Sequence, residues 1–231
     1  MIARRATANE FAEIGVVARS GALDRSPVRL PFDTGVRALN ALTTFGIGQR
    51  IGIMAGSGVG KSVLVDTIAG HAVADVTVVA LIGERAREVS DFVNRHMTGH
   101  RRGGIVVVAV PADHAPNLRL RAAQYASSIA EYFRAQGKRV LLMMDSVTRY
   151  ARALREIGLS VGEPAVRRGF PPSVFAELPR LFERAGNDAH GSITAFYTVL
   201  AEDEDGSDPV AEETRSILDG HIVLSRQLGQ A

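Results

Sequence analysis

Residues 54–62 read "MAGSGVGKS", preceded by the apolar run "IGIM" (51–54) and followed by "VLV" (63–65). A glycine-rich turn between a strand-like and a helix-like run, closed by Lys61-Ser62, is a phosphate-binding arrangement. Backbone N–H groups of Gly56, Ser57, Gly58, Val59 and Gly60 can wrap phosphate oxygens, Lys61 reaches the outer phosphates, and the Ser62 hydroxyl suits a Mg²⁺ ligand. The strict pattern opens on glycine; here Ala55 holds that position, and Gly56 supplies the freedom of the turn. Such a loop implies nucleotide binding and leaves hydrolysis open, because kinases and motors share it.

Outward from the loop, strand-like and helix-like segments alternate. "GQRIGIM" (48–54), "DVTVVALIG" (75–83), "GIVVVAV" (104–110) and "KRVLLMMD" (138–145) read as strands. "KSVLVDTIAGHA" (61–72), the amphipathic "ERAREVSDFVNRH" (84–96) and "NLRLRAAQYASSIAEYFRAQ" (117–136) read as helices. Successive β-then-α units predict an α/β fold with a mostly parallel sheet flanked by helices. Beyond Asp145 the reading is a helix, a loop around "GEPAVRRGFPPS" (162–173), a helix, the strand "GSITAFYTVL" (191–200), an acidic loop and a last strand, "GHIVLSR" (220–226). Residues 1–30 lack a sustained period and read as a remnant or linker, with "IGVVARSG" (14–21) as one isolated strand; residues 31–231 read as the nucleotide-binding domain.

Composition bounds the alternatives. The 231 residues can bury a full core. No apolar run reaches the length of a membrane span, and no signal peptide is legible in "MIARRATANEFAEIG". The absence of cysteine excludes disulfides and thiolate metal sites. A soluble, cytoplasmic protein is expected. A net charge of +2 does not point to nucleic acid, and no basic stripe is interleaved with aromatics; "GHRRGG" (99–104) reads as a solvated basic turn.

Two strands end in acids: "VVALIGER" puts Glu84 after one and "RVLLMMDS" puts Asp145 at another. A carboxylate there is expected to escape burial and to point over the edge where phosphates would lie. Asp145 is the natural outer partner for Mg²⁺, through a bound water, which leaves Glu84 to polarise the attacking water. Each could instead cap the helix that follows it. Arg85 and Arg149 stand close behind the two acids and could neutralise phosphate charge or merely hold the carboxylates. Glu88, one helical turn past Glu84, reads as structural.

"AGSGVGKS", "LIGERAREV", "MMDSVTRYARALREIGLSVGEP", "GFPPSVFAELPRLFERAG", "GSITAFYTVL" and "DGHIVLSR", in this order, resemble the ATPases of bacterial type III protein secretion. That family comprises the flagellar export and injectisome ATPases, relatives of the catalytic subunit of rotary ATP synthases. The resemblance covers roughly residues 14–229 and leans toward the injectisome branch over residues 191–226. It implies a RecA-like P-loop NTPase core, with ATP and Mg²⁺ bound. It also implies Glu84 as activator of water, Lys61, Arg85 and Arg149 at the phosphates, and Ser62 and Asp145 at the metal. Ala55 matches the family's own departure from the generic loop. As partners it implies a homo-hexamer with export-gate, stalk and stator proteins and secretion chaperones, peripheral to the inner membrane. Family members are about twice this length, so an absent carboxy-terminal helical domain is expected. So are a missing adenine-packing aromatic and a missing arginine donated in trans, and hence weak turnover by this chain alone. A non-hydrolysing nucleotide-binding subunit and a rotary-type subunit remain as alternatives, the latter disfavoured by "GFPPSVFAELPRL" and "LDGHIVLSR".

Overall fold

The computed structural model describes residues 2–3, 21–97, 104–201 and 208–229. Most of the amino-terminal stretch, the basic turn at 99–103 and the acidic residues 202–207 lie outside them. Strands are β1 (Ile2–Ala3), β2 (Arg50–Ala55), β3 (Val76–Ile82), β4 (Gly104–Val110), β5 (Arg139–Asp145), β6 (Gly186–Asn187), β7 (Ser192–Leu200) and β8 (Gly220–Leu224). Helices are α1 (Arg37–Leu42), α2 (Lys61–His71), α3 (Ala86–Met97), α4 (Pro116–Ala135), α5 (Val147–Ser160), α6 (Pro172–Phe182), α7 (Pro209–Ile217) and α8 (Arg226–Gly229). One sheet runs β1-β4-β3-β5-β7-β2-β8, with β6 alongside β7. β1 and β6 pair antiparallel, and the six long strands are mutually parallel, as the alternating pattern predicts.

The strands read as unbroken apolar runs because both faces of the sheet are covered. In β3, Val78, Ala80 and Ile82 join the core under α4 to α7, while Val79 and Leu81 join the core under α2 and α3. Residues of β5 divide the same way: Leu142 and Met144 to one side, Leu141 and Met143 to the other. The period of two therefore sends Asp145 to the α2 face. Pairing of Leu81 with Asp145 and of Ala55 with Leu200 brings the carboxyl ends of the four central strands to one level. The site is built on that edge.

Helix starts follow local chemistry. Ser146 caps α5, its side chain accepting from the Arg149 N–H at 3.3 Å. Pro116, Pro172 and Pro209 occupy the first helical position of α4, α6 and α7, where a missing N–H costs nothing. Helix α7 corrects the reading of 201–219 as a loop. Asp208 accepts from Val210 and Ala211 N–H at 2.9 and 2.8 Å, so Asp-Pro before "VAEETRSI" is a start signal that the acidic composition obscured.

A buried charge network ties α4 to the turn after α6. Arg184 donates to both carboxylate oxygens of Glu131, to the Gln124 carbonyl and to Ser128 Oγ. Arg184→Met strands the Glu131 charge, which is 2% exposed, and is expected to destabilise the fold by about 3–5 kcal/mol. Adding Glu131→Met should restore at least half of the loss in urea unfolding. A double variant no more stable than the single one would refute stranded charge as the cause.

Candidate functional site

The loop leaves β2 at Ala55 and enters α2 at Lys61. Ala55 is still strand, paired with Leu200 and Leu224, so no glycine conformation is needed where the generic motif has one. Gly58 and Gly60 adopt φ of 78° and 91°, and a Cβ placed at either meets no heavy atom within 4 Å. No side chain caps α2, whose N-cap is Gly60. The free N–H groups of its first turn are thus directed to the open side of the loop, a cradle for an anion.

Both strand-end acids are buried, against the expectation that they escape burial: Glu84 is 6% and Asp145 5% exposed. Lys61, itself buried, resolves the conflict by reaching between them. Its ammonium lies against Asp145 Oδ1 and 3.6 Å from Glu84 Oε1. Thr198 Oγ1 donates to the same Asp145 oxygen at 2.6 Å. Capping is excluded for Asp145, since Ser146 caps α5. The Glu84 carbonyl accepts from Ala112 N–H at 3.1 Å, which fixes its backbone, and its Oε1 is buried without a hydrogen-bond partner. Burial, and next the Asp145 charge, push the Glu84 carboxyl above its ordinary value of 4.5, with Lys61 and Arg149 opposing in part.

A cavity of about 570 Å³ unites most of the expected residues. Gly56, Ser57, Gly58, Gly60, Lys61, Ser62, Glu84, Arg85 and Arg149 all line it, together with Glu88, Arg152, Val63 and Leu200. Val59 belongs to the loop without lining the cavity. Asp145 lines a smaller space, about 100 Å³, which shares Ser62 and Glu84 with the larger one. Arg85 donates to Glu88 Oε1 at 3.1 Å. Gly83 (φ 68°) lets Arg149 pass close over the strand end: a Cβ there would sit 3.1 Å from Arg149 Cβ.

Three residues of the site escaped sequence reading. Thr198 sits inside an apolar strand, and only the register of β7 against β5 reveals it. Arg152 follows Arg149 by one helical turn, a spacing that was legible. Glu88, read as structural, lines both spaces. Among the described residues no group of three or more histidines and acids could hold a metal alone. Ser62 and Asp145 fit instead a hard cation held by few protein oxygens plus phosphates.

The raised Glu84 carboxyl sets the sign of a pH effect. The folded state binds the Glu84 proton more tightly than the unfolded one, so this group's contribution is fully present below pH 4.5 and fades as pH rises through the folded value. Glu84→Gln, which leaves Lys61 paired with Asp145, should therefore melt higher than the parent at pH 7–8 without nucleotide. The gap should shrink toward pH 4.5. A variant that melts lower at neutral pH would contradict the desolvation argument.

Residues 35–231 match the sequence model of the ATP synthase alpha/beta family, nucleotide-binding domain. The chain is 59% identical over 211 residues to the flagellum-specific ATP synthase of Salmonella typhimurium, covering 90% of this chain and 46% of that one. It is 57% identical over 204 residues to the type 3 secretion system ATPase of Xanthomonas euvesicatoria, covering 88% and 46%. Identity thus places it about equally near both branches. The assembled ATPase EscN of the enteropathogenic E. coli type III secretion system superposes with a TM-score of 0.87 at 56% identity, over 92% of this chain and 52% of that one. EscN has also been solved with its central stalk EscO; that structure matches with a TM-score of 0.82 at 54% identity, over 92% and 51%. The chain spans about half the length of the curated relatives it matches. With its strand-to-helix phosphate loop, paired strand-end acids and a match over residues 35–231, the chain belongs to the ATP synthase alpha/beta family.

Proposed function

We propose that the chain binds Mg-ATP and hydrolyses it as the nucleotide-binding domain of a ring ATPase that energises bacterial type III protein export. One observation carries the reading: a buried lysine shared by two buried strand-end carboxylates, beside an N–H-lined loop that opens on a cavity of about 570 Å³.

Bound Mg-ATP supplies the phosphoryl group and the metal's charge. The N–H groups of residues 56–60 and the start of α2 hold phosphate oxygens, and the Lys61 ammonium neutralises the outer ones. Ser62 Oγ and an Asp145 oxygen serve the metal. Glu84 Oε1 accepts no hydrogen bond, with the Lys61 ammonium 3.6 Å away, and so is suited to take a proton from water, its basicity raised by burial. Arg149 and Arg85 offset charge that develops on the phosphoryl oxygens. A carboxylate in that position that accepts no hydrogen bond and is made more basic by burial favours hydrolysis over the alternative of a subunit that only binds nucleotide.

The export role, a hexameric ring, and a stalk, stator, gate and chaperones as partners at the cytoplasmic side of the inner membrane belong to the same proposal. Support comes from relatives named as flagellum-specific and type 3 secretion ATPases and from assembled EscN with its stalk. Among the described residues no helix is long and apolar enough to cross a membrane.

Calorimetric titration with Mg-ATP is the test. Saturable binding is expected, lost in Lys61→Ala and retained in Glu84→Gln. Turnover is best measured with an added full-length relative inactivated at its own catalytic glutamate. It should fall by roughly 10²–10⁴ in Glu84→Gln, the usual worth of a general base. Binding indifferent to Lys61 would sink the site assignment, and undiminished turnover would sink the role of Glu84.

A further inference from the structure

The positive side chains around the cavity are not equivalent. Lys61 faces Asp145 and Glu84, and Arg85 faces Glu88. Arg149 and Arg152, on the same face of α5, line the cavity without an ion pair to any described residue. The Nε of Arg149 is buried with no hydrogen-bond partner. A buried guanidinium N–H left unpaired is unfavourable, and two like charges three residues apart on a helix repel each other. The repulsion is relieved if an anion lies between the two groups. The geometry says which part of the ligand that is. Lys61, which serves the outer phosphates, stands 3.6 Å from Glu84, so a terminal phosphate belongs beside that pair. Arg149 packs over Gly83 at the strand end, and Arg152 lies about 4.5 Å farther along the helix axis. Glu84 and Glu88 line the same space, so an anion with its own strong positive demand is favoured over a second carboxylate.

We propose that Arg152 is a phosphate-binding residue that, with Arg149, clamps the terminal phosphate of a nucleoside triphosphate and so sets the preference for triphosphate over diphosphate. The inference rests on reading the cavity as an ATP site. A planar guanidinium can give a phosphate two parallel N–H···O bonds, which a lysine at the same place cannot. Arg152 is exposed on its outer side, so the effect is taken at the low end for a hydrogen bond to a charged group, about tenfold in affinity.

The experiment is a calorimetric titration of the 231-residue chain with Mg-ATP and with Mg-ADP, run on the parent, Arg152→Met, Arg152→Lys and Lys61→Ala. Arg152→Met is expected to weaken Mg-ATP binding about tenfold and Mg-ADP binding less than twofold. Arg152→Lys should fall between parent and methionine for Mg-ATP. The melting temperature of each Arg152 variant, measured without nucleotide, checks that the fold is intact. Lys61-dependent binding with an unchanged ATP-to-ADP ratio in Arg152→Met overturns the clamp and spares the site. An equal loss for both nucleotides also overturns it, because the contact would then lie on a group the two share. Absence of Lys61-dependent binding in the parent overturns the site and the clamp together.

Discussion

The ammonium of Lys61 holds this edge of the sheet together. Two carboxylates at adjacent strand ends, each removed from water, would repel one another and carry a large desolvation penalty. One buried cation shared by both, with Thr198 donating to Asp145, makes their burial tolerable. The lysine is the first residue of α2, while the acids follow β3 and end β5. A single point charge therefore pins the helix, the loop before it and two strands in one relative position. Gly58 and Gly60 of the loop have no side chain to do so and face open space.

That arrangement depends on register. A slip of one residue in β5 would turn Asp145 toward α4 and α5 and leave Lys61 facing Met144 or Ser146, with no carboxylate from that strand. The slip is prevented far from the site, by the near-complete burial of Leu141, Leu142, Met143 and Met144 on alternating faces. A residue moved to the wrong face there would meet a core already filled. The apolar strands thus supply positional accuracy to groups that are themselves poor at stabilising anything. The raised Glu84 carboxyl is what remains of that conflict: a group kept where ionisation is disfavoured, in the family of trade-offs in which active sites hold strain against stability.

Most of the scaffold was legible in the sequence because a doubly covered parallel sheet writes each strand as an apolar run and each helix as a periodic one. The failures share a physical cause. Helix α7 was missed because acidic composition was weighed above the Asp208-Pro209 start signal. Thr198 was invisible because nothing in "AFYTVL" separates a threonine that fills a β position from one that donates to a carboxylate 53 residues earlier. The burial of Glu84 and Asp145 was misjudged because the sequence, read strand by strand, treats each acid as solvated. Only when Lys61 is placed between them does burial become affordable. Pair and triad energetics belong to the tertiary structure; types and periods belong to the chain.

The division between lysine and arginine in the site follows from the same reasoning. A compact ammonium with donors in three directions can sit between two carboxylates from different strands, and Lys61 is buried in that position. A guanidinium is larger and planar, with its donors fixed in one fork. Arg149 and Arg152 stand instead on one face of α5, lining the cavity and offering flat donor arrays to whatever enters it. Of the chain's two lysines, Lys138 precedes β5, at the end of that strand opposite the site, and Lys61 is at the centre of the site. In a sequence that uses arginine for nearly all its positive charge, the buried position shared by two acids is held by the compact ammonium of Lys61.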